Sequence, residues 1–343
     1  MTRWFKLLLV AALALITLVA QPGAAQAQEL RPATDDHGLI ETLEPAPPLP
    51  DGYFTVHGLY ADVRAHPDDA RVAHRLADHA AVAVPEIAAK LGVGAGRPMI
   101  ITLAHQARDF SALQPGHPPD WADGTAWPHR SLIFLRAPRL RPGTSDPLEQ
   151  VLDHEIVHVL LGQAFGPRPV PRWLQEGLAQ VVAGEYGPET IQTIARGSLG
   201  GGLLGLEDIE RGFPVDAVRA NLAYAQSADL IAFLTERHGD EVIPALVAQL
   251  AAGRPMPAAF RAVTGDDAQA LDRAWRARLN DSPLRWTALA QGEVWLGLSS
   301  FGLFFGFLGA RRRNRDRLAR WDEEEALRDA TLRGVSGWSM PGR

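Results

Sequence analysis

No cysteine occurs in the 343 residues, so neither disulfide staples nor a lipid-modified cysteine anchor is available. Stability has to come from an apolar core, or from such a core plus a bound metal. An excess of basic charge is missing too. The formal net charge is −6, and the acidic balance deepens once the two chain ends are set aside, which argues against nucleic acid as a partner. Internal repeats are absent. Long uninterrupted apolar runs are confined to two places, one near each terminus.

The first run follows Arg3 and Lys6 and extends from Leu7 to Ala20. Ala25-Gln26-Ala27 then supplies a small-x-small cleavage site. Fourteen residues are short for a membrane span, so residues 1–27 read as a secretory signal peptide cut before Gln28. The second run, Trp286 to Ala310, is about one bilayer long and holds a single charge, Glu293. Trp286 and Trp295 fall where interfacial aromatics sit, and Arg311, Arg312, Arg313, Arg315 and Arg317 follow at once, marking the cytoplasmic side. The expectation is a single-pass membrane protein: outside the cytoplasm to about residue 285, a transmembrane helix over 286–310, and a cytoplasmic tail over 311–343. Gly302 and Gly306 have the spacing that lets helices pair closely in lipid, so a homodimer through the span is one alternative to a monomer.

Between the two runs, residues 28–51 form a linker containing Pro45, Pro47, Pro48 and Pro50. One folded domain is expected over 52–283. Phe54 to Leu59, Met99 to Leu103 and Ser131 to Leu135 read as strands, Asp68 to Leu91 as a helix broken or adjusted near Pro85, and 114–130 as a loop. From Pro147 the period becomes helical. Helices are predicted for Leu148 to Phe165, Trp173 to Glu185, Ala217 to His238, Glu241 to Ala251 and Ala268 to Leu279, with Asp146 as the cap of the first. Strands first and helices after give an α+β fold with a small N-terminal sheet and a mainly helical C-terminal part.

The helix from Leu148 carries His154-Glu155-Ile156-Val157-His158. Histidines four apart share one helix face, so both imidazoles can reach one ion, while Glu155 is suited to take a proton from water activated there. The surrounding residues Val151, Leu152, Ile156, Val157, Val159 and Leu160 are apolar. Two histidines and a carboxylate among them would be costly without partners, and a metal removes that cost. A catalytic zinc site needs a third protein ligand. Pro171-Arg172-Trp173-Leu174-Gln175-Glu176-Gly177-Leu178-Ala179 follows a turn rich in Gly and Pro, so a second helix can fold back on the first. Gly177 and Ala179 are small enough to let those two approach closely, which makes Glu176 the natural third ligand.

His154-Glu155-x-x-His158 followed by Trp173-Leu174-x-Glu176-Gly177-Leu178-Ala179 resembles the gluzincin metallopeptidases, specifically the bacterial peptidase-MA-like domains. The resemblance implies a zincin-like fold, Zn2+ bound by His154, His158 and Glu176, Glu155 as general base, and a protein or peptide substrate. The 17 residues between His158 and Glu176 are one fewer than in the aminopeptidase branch, and no exopeptidase motif accompanies them. The resemblance also implies a downstream helix, which Tyr224-Ala225-Gln226-Ser227 fits. Tyr224 there either donates to the oxyanion or packs at the helix start. Ser131 to Leu135 resembles the edge strand along which such enzymes align substrate, its alternative being an ordinary core strand. His105, His117, His129 and His238 read as isolated structural or surface residues. The function expected is zinc-dependent endopeptidase activity on extracytoplasmic proteins or peptides. The rivals are a degenerate zincin-fold scaffold at the membrane and a hydrolase acting on something other than peptides.

Overall fold

Alternation of small apolar and polar residues in Ala61-Asp62-Val63-Arg64-Ala65 buries every second side chain, and that strand lies inside a five-stranded sheet. A computed structural model describes residues 46–115, 122–142, 147–199, 201–214 and 216–281. The predicted signal peptide, most of the linker, the predicted span over 286–310 and the tail over 311–343 lie outside the described residues. Among the described residues, no helix is long and apolar enough to cross a membrane.

The strands are β1 (Phe54–Val56), β2 (Ala61–Ala65), β3 (Met99–Ala104), β4 (Gly124–Trp127) and β5 (Leu132–Arg136), in the order β1-β2-β3-β5-β4. β3 pairs in parallel with both β2 and β5, whereas β1 and β4 run antiparallel at the two edges. Two sequence expectations change here. The stretch 114–130 is not all loop, because Gly124–Trp127 forms β4, in register Gly124 to Leu135 and Trp127 to Leu132. The strand near 131–135 is not at the edge, because β4 covers its outer side. A local sequence pattern specifies a strand but not which neighbour pairs with it, and β4 is only four residues long amid Pro and Gly.

One sheet face packs its inward residues Val63, Ile101, Leu103, Ile133 and Leu135 into the main core, against helices. The other face carries Phe134 and Trp127 against Phe110, from the short helix α2 (Ala107–Ala112). The main core is built by α1 (Ala70–Leu91) and α3 (Leu148–Phe165). α1 is unbroken at Pro85, contrary to expectation. Proline removes one backbone hydrogen bond, but the stripe of Ala73, Leu76, Ala80, Val84, Ile87 and Leu91 is buried and holds the helix in place. Gly92, at φ 69°, ends it in the left-handed conformation.

α3 has the bounds read from the sequence. Its cap position is Pro147, and Asp146 lies outside the described residues. The remaining helices are α4 (Arg172–Val182), α5 (Pro188–Leu199), α6 (Leu206–Arg211), α7 (Ala217–His238), α8 (Val242–Ala251), α9 (Met256–Thr264) and α10 (Ala268–Asp281). α7 starts on the Asp216 side chain, which accepts from Arg219 N at 2.9 Å. Gly177 does not face α3, as the sequence suggested. A Cβ there would lie 2.4 Å from Ser227 O and 2.7 Å from Ile231 Cγ1, so this glycine admits α7 against α4.

Candidate metal centre

α3 is buried around nearly its whole circumference: Leu152, Ile156, Val157, Val159, Leu160 and Leu161 are all 1% exposed or less. Polar residues survive there only where partners meet them. On the α1 side, Arg75 pairs with Glu149, and His79 Nε2 lies 2.7 Å from Asp153 Oδ1. These contacts fix the rotation of α3 and direct the opposite stripe, His154 and His158, toward α4.

Three side chains from those two helices converge. His154 Nε2 and His158 Nε2 are 3.1 Å apart, and Glu176 Oε2 lies 3.6 and 3.5 Å from them respectively. Tetrahedral zinc with bonds of ~2.0–2.1 Å sets its ligand atoms roughly 3.3 Å apart. The imidazoles are steeply inclined, at 67°, with centres 4.9 Å apart, close to the roughly 5 Å expected when two rings point at one such ion. His158 Nδ1 is buried and makes no hydrogen bond among the described residues, so Nε2 is the engaged end of that ring. The trio therefore fits a divalent cation in its geometry and its donor set.

The electrostatics point the same way. Burial pushes the Glu176 carboxyl up, but the His158 charge, hydrogen bonds from both histidines and Arg172 outweigh it and hold Glu176 well below the usual carboxylate range. Burial likewise opposes a charge on His154, yet Glu185 and Glu176 raise it well above an ordinary histidine. Positive charge is thus stabilised at the point where the three side chains meet, and a divalent cation can supply it in place of protons.

Two residues to which the sequence reading gave no role complete the surroundings; the helix predicted to run to Glu185 stops at Val182, which frees Glu185 to turn back. Glu185 sets both carboxylate oxygens 3.1 Å from His154 Nδ1, the arrangement in which an outer carboxylate orients a ligating imidazole. Gly184, at φ 76°, turns the chain after α4 so that Glu185 can reach back. Arg172, 4% exposed, donates from Nε to Glu176 Oε1 at 3.4 Å, leaving Oε2 toward the histidines. Its Nη2 donates to the Tyr224 hydroxyl at 3.0 Å, and its guanidinium covers the Phe213 ring. Tyr224, on α7, is therefore joined to Glu176 through one arginine, while its ring meets Phe213 edge-on.

Glu155 is buried on the sheet side of α3. A Cβ at Gly124 would come within 2.8 Å of Glu155 Oε1 and of Val151 Cγ1, so the missing side chain at the start of β4 lets this carboxylate lie against the edge strand. The profile of the Peptidase MA superfamily matches residues 79–281, more than half of the chain. The chain belongs to the Peptidase MA superfamily. No curated protein matches it. Within this Peptidase MA domain, the matched stretch begins in α1 and ends with α10, so it spans α3, α4, Glu185 and Tyr224.

A second group of possible ligands, His66, Asp68 and His105, sits ahead of α1 and after β3. Here the rings are stacked, 3.9 Å apart and 23° from parallel, and so cannot both aim at one ion. His66 Nδ1 already accepts from Asp68 N. His105 is not isolated: its Nδ1 lies 2.9 Å from the buried Asp69 carboxylate, and the Arg139 guanidinium packs against both. The structural reading of His105 stands. His129 accepts from Arg97 Nη2 through its backbone carbonyl, and His117 lies outside the described residues.

Proposed function

We propose that this Peptidase MA domain is a zinc-dependent endopeptidase of the gluzincin type. The reading is carried by one observation: two imidazole nitrogens and one carboxylate oxygen converge at tetrahedral spacing, with a second carboxylate, Glu155, against the sheet edge. His154 Nε2, His158 Nε2 and Glu176 Oε2 would hold the ion. When bound, zinc supplies Lewis acidity toward a scissile carbonyl and lowers the pKa of a nearby water.

The other steps belong to the chain's own groups. Glu155 takes the proton from the attacking water on its carboxylate and returns it to the leaving amine. Tyr224 Oη donates to the carbonyl oxygen as negative charge develops, oriented by Arg172. Arg172 also holds Glu176 Oε1 and so fixes which oxygen faces the histidines. An extended peptide aligns along β4, because among the described residues β4 is the outermost strand on that side and Gly124 places it over Glu155.

We further place the domain outside the cytoplasm, released from its signal peptide and tethered by residues 286–310. This rests on the two apolar runs and the arginine cluster after the second. The experiment is turnover of a peptide library by the full chain, with and without chelator. Internal cleavage that stops with chelator and returns with zinc is expected. Zinc binding without cleavage would instead favour a scaffold, and hydrolysis of non-peptide esters alone would favour a different hydrolase.

A further inference from the structure

Asp229 is a buried carboxylate that the chemistry above does not use. It is 4% exposed, in the middle of α7. A carboxylate taken out of water costs several kcal/mol unless donors surround it. Three surround this one. Tyr186 Oη donates to Oδ1 at 2.6 Å, Trp275 Nε1 donates to Oδ2 at 2.6 Å, and Arg278 Nη2 donates to Oδ2 at 2.7 Å. Arg278 Nη1 meanwhile holds Glu236 Oε2, one helical stretch further along α7. Burial and the adjacent Asp229 charge keep the Tyr186 hydroxyl protonated as a donor.

The donors come from two places. Trp275 and Arg278 lie on α10, the last helix among the described residues, whereas Tyr186 lies in the turn after α4, next to Glu185. That turn is short and partly exposed. It is fastened by Gln150 Nε2 to Ala183 O at 3.3 Å, by Glu185 N to Gln180 O at 2.8 Å, by Thr190 Oγ1 of α5 to Glu185 O at 3.4 Å, and by the Tyr186 hydroxyl. Of these, the Tyr186 bond reaches α7, and through Asp229 it meets the donors of α10. Because Glu185 grips His154 Nδ1, any slack in the turn is passed to the orientation of that imidazole.

We infer that α10 is a positioning element of the metal centre: Trp275 and Arg278 fix Asp229, Asp229 fixes Tyr186, and Tyr186 fixes the turn from which Glu185 aims His154. The inference rests on the reading of His154 as a ligand. It gives α10 a part in the site beyond packing, although none of its residues approaches the three converging atoms. Glu185, Tyr186, Asp229, Trp275 and Arg278 are thus positioning residues and not catalytic ones.

The test measures zinc affinity of the full chain by competition with a chelator, alongside melting temperature. Glu185→Gln removes the charge of the direct partner and is expected to weaken zinc about 10–100-fold, the usual cost of an outer-shell loss. Tyr186→Phe keeps the ring and deletes one donor, and Trp275→Phe deletes the indole N–H while leaving a smaller ring in a fully buried place. They act one and three links further out, with an expected weakening of roughly threefold to tenfold. Phe260→Leu, in the buried face of α9, serves as a control that lowers the melting temperature without touching the relay. It is expected to bind zinc like the wild type. Wild-type zinc affinity in both Tyr186→Phe and Trp275→Phe, with melting temperature lowered as in the control, would overturn the relay while leaving the metal centre intact. A wild-type chain that binds no zinc would overturn the reading beneath it.

Discussion

Among the described residues, two groups bring a pair of histidines together with a carboxylate, and one of them has the form of a metal centre. At His154, His158 and Glu176 the rings are inclined and three lone-pair atoms meet within 3.1–3.6 Å. At His66, Asp68 and His105 the rings are stacked, one ring nitrogen already accepts a backbone N–H, and a guanidinium packs against the cluster. Composition is the same in both. What differs is the scaffold: a helix presents residues four apart from one face, whereas a turn before α1 and the end of β3 bring their rings face to face. Ligand type is a weak criterion, and the direction in which lone pairs point is a strong one.

The largest effect that would sharpen this contrast is complete loss. His158→Ala is expected to abolish both bound metal and peptide cleavage, while His105→Ala keeps the cleavage rate near wild type. Equal losses in the two variants, read in the same peptidase assay, would erase the distinction. Next comes Glu155→Gln, which is expected to keep the metal and lower kcat by about 10²–10⁴, the usual share of a general base. Metal analysis and turnover on one sample decide this, and a variant retaining most of its activity would remove Glu155 from the mechanism.

Smaller effects follow from the two glycines around the site. In Gly124→Ala the new methyl presses on Glu155 Oε1 and Val151, so kcat should fall by up to about a hundredfold through misplacement of the base, with metal affinity unchanged. Gly177→Ala meets the Ser227 carbonyl and should cost roughly 1–3 kcal/mol of stability, readable by urea unfolding. A neutral result there would mean that α4 and α7 are not in close contact.

The smallest effect concerns Asp69, at the second cluster. Burial raises its carboxyl pKa, but hydrogen bonds from Arg139 and His105 outweigh that and lower it overall. Its folded pKa lies below the unfolded value of about 3.9, so its stabilisation is present above that value and fades as pH falls through the folded one. Asp69→Asn should therefore be less stable than wild type at neutral pH and lose less stability on acidification. Melting curves across that range check it, with metal content unaffected.

Two of the helices around the site were legible in the sequence because long periodic segments carry their own signal, whereas the one read as Trp173 to Glu185 stops at Val182. Leu148–Phe165 and Ala217–His238 have the bounds their apolar pattern gives. The pairing of His154 and His158 was legible for the same reason, since helical spacing alone puts them on one face. The edge strand was not. Gly124-Thr125-Ala126-Trp127 is too short to show a period, and its place beside β5 depends on pairing across the sheet, which no local pattern records. Glu185 was missed because its partner is 31 residues away and is reached only through the left-handed turn at Gly184. The small size of Gly177 was visible, but the helix it admits was not, because only the packed structure identifies α7 as the neighbour.

The most direct measurement is the zinc content of three purified full-length chains: wild type, Glu176→Ala and His105→Ala. One ion per chain in the wild type and in His105→Ala, with none in Glu176→Ala, is the result expected. Zinc retained by Glu176→Ala but lost from His105→Ala would contradict the account at its centre.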